Sequence, residues 1–294
     1  MRYTNDFKDY ELIDATDGQR LERWGDVILI RPDPQIMWSH KKTNPAWDNA
    51  HAIYHRSSSG GGYWEPLKKV PDVWQIGFND LTFRLKPMGF KHTGLFPEQA
   101  VNWHLADNLI RKANRPISVL NLFAYTGGAT IACAAAGATV THVDASKGMV
   151  QWAKENAAVS GLSDKPIRWL VDDCLKFVKR EIRRGKKYDA VIMDPPSYGR
   201  GPGGEVWKLE QQIGELLTDV GKILSHDALF FFLNSYTGGL SPTILNYMVK
   251  NLIPVCKNGE VYTEEIGLKV SERDIILPCG NTTVWIGSEN EWIV

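Results

Sequence analysis

Cysteine is scarce in this chain of 294 residues: Cys133, Cys174, Cys256 and Cys279 stand far apart, with no C-x-x-C pair and no histidine at ligand spacing. That excludes a disulfide framework and a finger-type zinc site, so no metal is expected and a reducing cytoplasm is the expected compartment. Net charge is also missing, with 34 Lys and Arg against 34 Asp and Glu. A protein that coats nucleic acid through bulk basicity is thereby excluded, although a local basic groove is not. The first residues, Met1-Arg2-Tyr3-Thr4-Asn5-Asp6, carry no apolar leader core, and no apolar run approaches membrane-spanning length, so a soluble chain without a membrane partner is expected. Neither G-x-G-x-x-G nor the lysine-bearing phosphate loop is present, which removes the ordinary dinucleotide and nucleotide-triphosphate signatures. Tryptophan, by contrast, is plentiful: of the 11, Trp24, Trp38, Trp47, Trp64 and Trp74 fall early. Large rings thicken a thin β core or stack on bases.

Up to about Pro87 the chain shows short β-branched runs between turn residues, Val27 to Ile30, Val73 to Ile76 and Leu81 to Leu85, which predict a small β-rich domain over residues 1–90. A short helix is expected between Asn44 and Arg56, and a Ser/Gly turn from Ser57 to Gly62. From about His92 strands and helices alternate, the pattern of parallel strands with crossover connections, and residues 91–294 are read as one α/β domain. Pro97 opens a helix that runs to Ala113. Strands follow at Ser118–Phe123, Thr139–Val143, Ile167–Val171, Tyr188–Met193 and Ala228–Leu233, separated by helices at Ala129–Ala136, from Ser146 to near Gly161, Cys174–Arg184 and Val206–Leu224. The tail, Glu260–Val270 and Thr282–Gly287, lacks a helix between its strands, so an antiparallel ending on an otherwise parallel sheet is predicted.

The chemistry gathers where these strands end. After the first, Ala124-Tyr125-Thr126-Gly127-Gly128 leads straight into a helix; glycine permits a tight turn and close backbone approach, and the helix start offers free N–H groups. The second ends in Asp144, about sixteen residues on, where an acid accepts both hydroxyls of a ribose, with Ser146 the expected helix cap. The third ends in Asp172-Asp173-Cys174, where either acid also suits a cap. The fourth ends in Asp194-Pro195-Pro196-Ser197-Tyr198, whose two prolines fix φ and lack N–H groups, holding Ser197 and Tyr198 in a rigid loop beyond the strand edge.

This succession resembles the class I S-adenosylmethionine-dependent methyltransferases from about Lys91 to the C-terminus. The resemblance implies a seven-stranded Rossmann-like sheet with an antiparallel last strand, preceded here by the β-rich domain. It implies that Ala124, Tyr125, Thr126 and Gly127 line the methionine of S-adenosylmethionine, Asp144 its ribose, and Asp173 with the backbone of Cys174 its adenine, with Ala145 and Ser146 as further cofactor-binding candidates. A closer resemblance is to bacterial large-subunit (23S) ribosomal-RNA methyltransferases that carry a β-rich N-terminal region. It rests on Leu122-Phe123-Ala124-Tyr125-Thr126-Gly127-Gly128, on Asn156-Ala157-Ala158-Val159-Ser160-Gly161-Leu162, and on Thr93-Gly94-Leu95-Phe96-Pro97-Glu98-Gln99. That last segment adds Thr93, Phe96 and Gln99 as cofactor candidates, although Pro97-Glu98 stands where the group has Leu-Asp, and Ala100 where it has Arg.

Methylation of C5 of cytosine needs a cysteine nucleophile after the fifth strand or in the fourth-strand motif. Those places read Leu233-Asn234-Ser235-Tyr236 and Pro195-Pro196-Ser197-Tyr198. Amino-group methylases instead carry Asp/Asn-Pro-Pro-Tyr/Phe, so Asp194, Pro195 and Tyr198 are the catalytic candidates for attack by a nitrogen, Tyr198 displaced by the intervening Ser197. The expected partner is RNA, ribosomal RNA by resemblance; a small molecule or a protein side chain is the alternative. Lys68, Lys69, Arg84, Lys86, Lys91 and the run Arg183-Arg184-Gly185-Lys186-Lys187 suit phosphates or merely a solvated helix end. The loop Gly199–Gly204 reads as a lid or a passive linker.

Overall fold

The computed structural model describes residues 1–57, 61–237 and 239–287; Ser58, Ser59 and Gly60 of the expected Ser/Gly turn lie outside these. The chain divides into two compact units: a β unit of Tyr3–Ala100 with Gly267–Pro278, and an α/β unit of Met1–Arg2, Val101–Ile266 and Cys279–Val294.

Among the described residues the β unit holds a five-stranded sheet in the order β1-β2-β3-β4-β5, formed by Tyr10–Thr16, Gln19–Trp24, Val27–Pro32, Ala52–Arg56 and Gly62–Pro66. β6 (Trp74–Phe78) and β7 (Leu81–Leu85) pair as a separate hairpin. Asp17-Gly18 joins β1 to β2 with both residues left-handed (φ 52° and 70°), the turn that suits the twist of a two-residue hairpin. Trp24 and Trp47 are buried, and Trp38 and Trp64 donate their indole N–H to the Ala15 and Met88 carbonyls. These four rings serve the fold. Arg31 forks onto Glu22 at 2.5 and 2.7 Å, and the Tyr10 hydroxyl donates to the same carboxylate at 2.8 Å. The late segment completes this unit: Ser271 and Glu272 donate N–H bonds to the Leu12 and Ile13 carbonyls of β1, and Arg273 reaches Asp14. The helix expected over Asn44–Arg56 is not formed. Asn44 caps a single 3-10 turn, Pro45–Trp47, and the alternation of buried Ala52 and Tyr54 then enters β4, because pairing with β5 outweighs weak local helix propensity.

The α/β unit is a seven-stranded sheet in the order β10-β9-β8-β11-β14-β16-β15. Its strands are β8 (Ser118–Leu122), β9 (Thr139–Asp144), β10 (Ile167–Val171), β11 (Ala190–Met193), β14 (Phe230–Ser235), β15 (Glu260–Lys269) and β16 (Ile276–Ile286). The first five run parallel, and β16 lies antiparallel to β14, the expected sheet. One face packs on α1 (Ala100–Lys112) and α2 (Gly128–Ala135) through Leu109, Ile110, Cys133 and Ala134. α3 (Lys147–Val159) lies beside α2. The other face packs on α4 (Cys174–Arg183), α5 (Leu209–Ile223) and α6 (Pro242–Leu252) through Phe177, Leu216 and Leu245. The strand order reverses between β8 and β11, a switch point where open α/β sheets bind ligands.

In the α/β unit, too, the structure differs from the sequence reading. The Gly199–Gly204 loop is framed by a hairpin, β12 (Tyr198–Arg200) with β13 (Val206–Lys208), so the helix expected from Val206 begins only at Leu209. The hairpin turn is closed by Gly201 N–H on the Glu205 carbonyl and Gly203 N–H on its carboxylate, both at 2.8 Å. α6 was not expected at all, although Ser241 caps it and Pro242 occupies its first turn.

Candidate functional site

Strand register brings the four predicted ends to one edge. Leu122 pairs with Val143 and with Met193, and Val143 with Leu170. The turn after β8, Asp144, Asp172-Asp173 and Asp194 therefore stand side by side.

The turn itself is unusual backbone. Phe123 (φ 54°), Tyr125 (φ 51°) and Gly127 (φ 84°) are all left-handed, a conformation uncommon for non-glycine residues that persists only where neighbours enforce it. Here they do. Phe123 N–H donates to Cys174 Sγ at 3.3 Å, Ala124 N–H to the Val143 carbonyl at 3.1 Å, and Tyr125 N–H to Asp144 Oδ2 at 2.8 Å. From α3, Asn156 Nδ2 donates to the Thr126 carbonyl at 2.8 Å. Beneath the turn Asn121 Nδ2 donates to Thr130 Oγ1, which bonds His142 Nδ1, both at 2.9 Å. Burial pushes His142 down to about 3, so this floor is uncharged at neutral pH. The glycines answer to packing: a Cβ on Gly127 would lie 2.9 Å from Ala153 Cβ, and one on Gly128 2.6 Å from Trp103.

Asp144 accepts from Tyr125 N–H with one oxygen and from Ser146 N–H with the other, each at 2.8 Å. Burial raises its carboxyl above the ordinary value, against the lowering by those two bonds. Each oxygen retains a second lone pair, so two acceptor positions remain, which suits a vicinal diol. Ser146 Oγ caps α3 on Met149 N–H, and Ala145 is half-buried beside it. Asp173 Oδ1 caps α4 on Lys176 N–H at 2.8 Å, which uses one of its two oxygens. Asp172 is engaged by Arg180. Cys174 is buried and its thiol is pushed well above its ordinary range by burial. It holds the turn as a buried, neutral thiol.

At the end of β11, Asp194 is half-buried and its N–H reaches the Leu122 carbonyl at 3.3 Å. Pro195 is buried, and the Pro196 carbonyl is taken by Trp207 Nε1–H at 2.6 Å. The Trp207 ring lies 5.0 Å from that of Phe123, which ties the proline motif to the turn. Ser197 Oγ bonds Thr237 Oγ1 at 2.8 Å. Tyr198 starts β12 with 53% of its surface exposed.

Thr93, Phe96 and Gln99 belong to the β unit. Thr93 is buried with its hydroxyl unpartnered, Gln99 is buried, and Phe96 is half-buried with its ring 5.2 Å from His92. The sequence reading quoted Asn156 only within the motif Asn156 to Leu162 and gave it no role in the site, and it did not single out Thr130, His142 or Trp207. Asn156 had a signal, a polar residue on the apolar stripe Ala153, Ala157 of α3. The others are contacts between distant segments with no local pattern.

A parallel sheet with a switch point, an ordered glycine turn and acids on the adjoining strand ends defines a nucleoside-binding α/β domain. Comparison with known proteins narrows it. The S-adenosylmethionine-dependent methyltransferase family profile matches residues 38–230. The crystal structure of a SAM-dependent methyltransferase from Agrobacterium tumefaciens superposes with a TM-score of 0.92 at 36% identity, covering 97% of this chain and 92% of that one. A Streptococcus mutans structure described as a SAM-dependent methyltransferase shares the fold at 17% identity and a TM-score of 0.74, covering 96% of this chain and 76% of that one. Ribosomal RNA large subunit methyltransferase K/L of Shewanella frigidimarina is 35% identical over 155 residues, 52% of this chain and 21% of the relative. This chain thus spans about a fifth of the length of that relative. The protein belongs to the S-adenosylmethionine-dependent methyltransferase family, and S-adenosylmethionine is the cofactor of that family. Among the described residues no helix is long and apolar enough to cross a membrane, and no cluster of His, Cys, Asp or Glu is arranged to hold a metal.

Proposed function

We propose that this protein methylates a nitrogen of a base in RNA, with ribosomal RNA the substrate class and the cytoplasm its compartment. The observation that carries the nitrogen assignment is the end of β11, where Asp194 and the buried Pro195 adjoin the turn after β8. The RNA assignment is supported by the likeness to large-subunit ribosomal-RNA methyltransferases.

In this reading Ala124, Tyr125, Thr126 and Gly127 hold the methionine part of the cofactor, Asp144 the ribose hydroxyls, and Asp173 with the Cys174 backbone the adenine. The doubly anchored Asp144 carboxylate, still able to accept two further bonds, is the feature that fits this cofactor. For Thr93, Phe96 and Gln99 the sequence resemblance is the support. Bound there, the cofactor supplies a methyl group activated on a sulfonium. The chain supplies position, which is most of what an in-line displacement needs. Asp194 and the Pro195 carbonyl accept the N–H bonds of the target amine and aim its lone pair. Trp207 has already claimed the Pro196 carbonyl, so that acceptor does not compete. Tyr198 offers its ring to the base.

The test is transfer of tritium from labelled S-adenosylmethionine to RNA and protein fractions of cells lacking the protein. Label in RNA, lost in Asp194→Ala with unchanged calorimetric cofactor affinity, is the expected outcome. Label in the protein fraction alone, or in neither fraction, overturns the RNA assignment, and an Asp194→Ala enzyme of normal rate overturns the role of that carboxylate.

A further inference from the structure

We propose that the β12–β13 ribbon is a single-stranded RNA contact, with Arg200 and Lys208 holding phosphates beside a base stacked on Tyr198. The proposal rests on the RNA reading above and adds the surface that would receive the strand.

The ribbon is two-faced by register. Tyr198 pairs with Lys208, Gly199 with Trp207 and Arg200 with Val206. Side chains alternate across a strand, so Trp207 and Gly199 share one face and Tyr198, Arg200, Val206 and Lys208 the other. The first face is inward. Trp207 is 5% exposed, packs in the core that includes Leu209 and Met193, and donates to the Pro196 carbonyl. All four residues of the second face are exposed. An antiparallel ribbon with an unused outer face normally carries mixed polar residues; this one carries an aromatic ring, two cations and an aliphatic side chain, with no acid.

The cations have no counter-charge of their own. Among the described residues neither Arg200 nor Lys208 enters an ion pair, whereas Lys176 takes Glu205 and Lys179 takes Glu215. Glu210, the other acid flanking the ribbon in sequence, is turned toward Gly239. An electroneutral chain has thus placed two unpaired cations immediately after its catalytic motif. Tyr198 and Arg200 lie two residues apart on β12, about 6.8 Å along an extended strand, so a base on the ring and a neighbouring phosphate on the guanidinium can be held together. Rings on which unpaired bases stack, flanked by cations for the backbone, are how single strands are bound without sequence readout. A duplex would keep its bases out of reach of the ring.

Full-length protein is titrated against a fluorescein-labelled single-stranded RNA of mixed sequence at several salt concentrations. Two lost phosphate contacts should lower the salt slope of log K in Arg200→Gln/Lys208→Gln by about 1.4, and the affinity about ten-fold or more at low salt. Arg200→Lys/Lys208→Arg should retain the wild-type slope. Tyr198→Ala should weaken binding about ten-fold where Tyr198→Phe does not. Unchanged calorimetric affinity for S-adenosylmethionine reports that each variant is folded. Wild-type slope and affinity in the Gln variant, with RNA still methylated by the wild type, overturn the ribbon and leave the RNA reading intact. Absence of both RNA binding and RNA labelling in the wild type overturns the two together.

Discussion

Gly127→Ala should damage the turn after β8 for a reason that can be separated from backbone strain. A left-handed alanine costs about 1–2 kcal/mol, and the new Cβ would stand 2.9 Å from that of Ala153, adding an overpacking cost of about 1–3 kcal/mol. The expected loss is therefore roughly 2–5 kcal/mol by urea unfolding. Gly161 supplies the control: it is also left-handed (φ 69°) but has nothing within 4 Å of where a methyl would stand, so Gly161→Ala should lose only about 1–2 kcal/mol. Ala153→Gly removes the opposing methyl at a helix cost of about 1 kcal/mol, and in the Gly127→Ala background it should recover about 1–3 kcal/mol as a coupling energy. Because Gly127 N–H and carbonyl both bond within the turn and helix, calorimetric affinity for S-adenosylmethionine should fall with stability and return in the double variant. Equal losses at Gly127 and Gly161, with no coupling to Ala153, would refute the packing argument.

Asp144→Ala removes two charge-assisted acceptors, each worth about 1.5–3 kcal/mol, so cofactor affinity should fall at least about a hundred-fold. Burial holds the Asp144 carboxyl above its ordinary value, and the ribose needs the ionised form, so wild-type affinity should decline on acidification at a pH above the usual carboxylate range. A normal affinity in the variant, or a pH-independent wild type, would remove the ribose assignment. In the β unit, burial alone would raise Glu22, but Arg31 brings it below its ordinary value. This pair therefore stabilises above the unfolded carboxylate pKa and is lost as pH falls through the lower folded one. Arg31→Met strands that carboxylate and should cost about 3–5 kcal/mol at neutral pH; a smaller loss in urea unfolding would show that Tyr10 suffices to hold it.

The α/β sheet was legible because apolar strands such as Ile167–Val171 and capped helices such as that from Ser146 write local patterns. The acid-bearing strand ends were legible because a strand end is where an apolar run stops. Trp207 was misread as helical because its strand exists only through pairing with Gly199, and a three-residue strand has no period. The 3-10 turn at Pro45–Trp47 was overextended into a helix because the pairing of Ala52–Arg56 with β5 is tertiary information. The reason for Gly127 and Gly128 was likewise hidden: the sequence suggests room for a ligand, whereas the neighbours are Ala153 and Trp103, contributed by other helices.

The β unit is assembled from two pieces of chain, and this sets an order of synthesis. Its sheet edge at β1 is met by Ser271, Glu272 and Arg273, which leave the ribosome roughly 10 to 35 seconds after Ala100 at ordinary elongation rates. During that interval β1 presents an unpaired edge of the kind that invites wrong partners, while nearly all of the α/β unit is being made. The β unit thus waits through the synthesis of Val101–Ile266 for its closing segment Gly267–Pro278, and a chain truncated before Gly267 loses that closure.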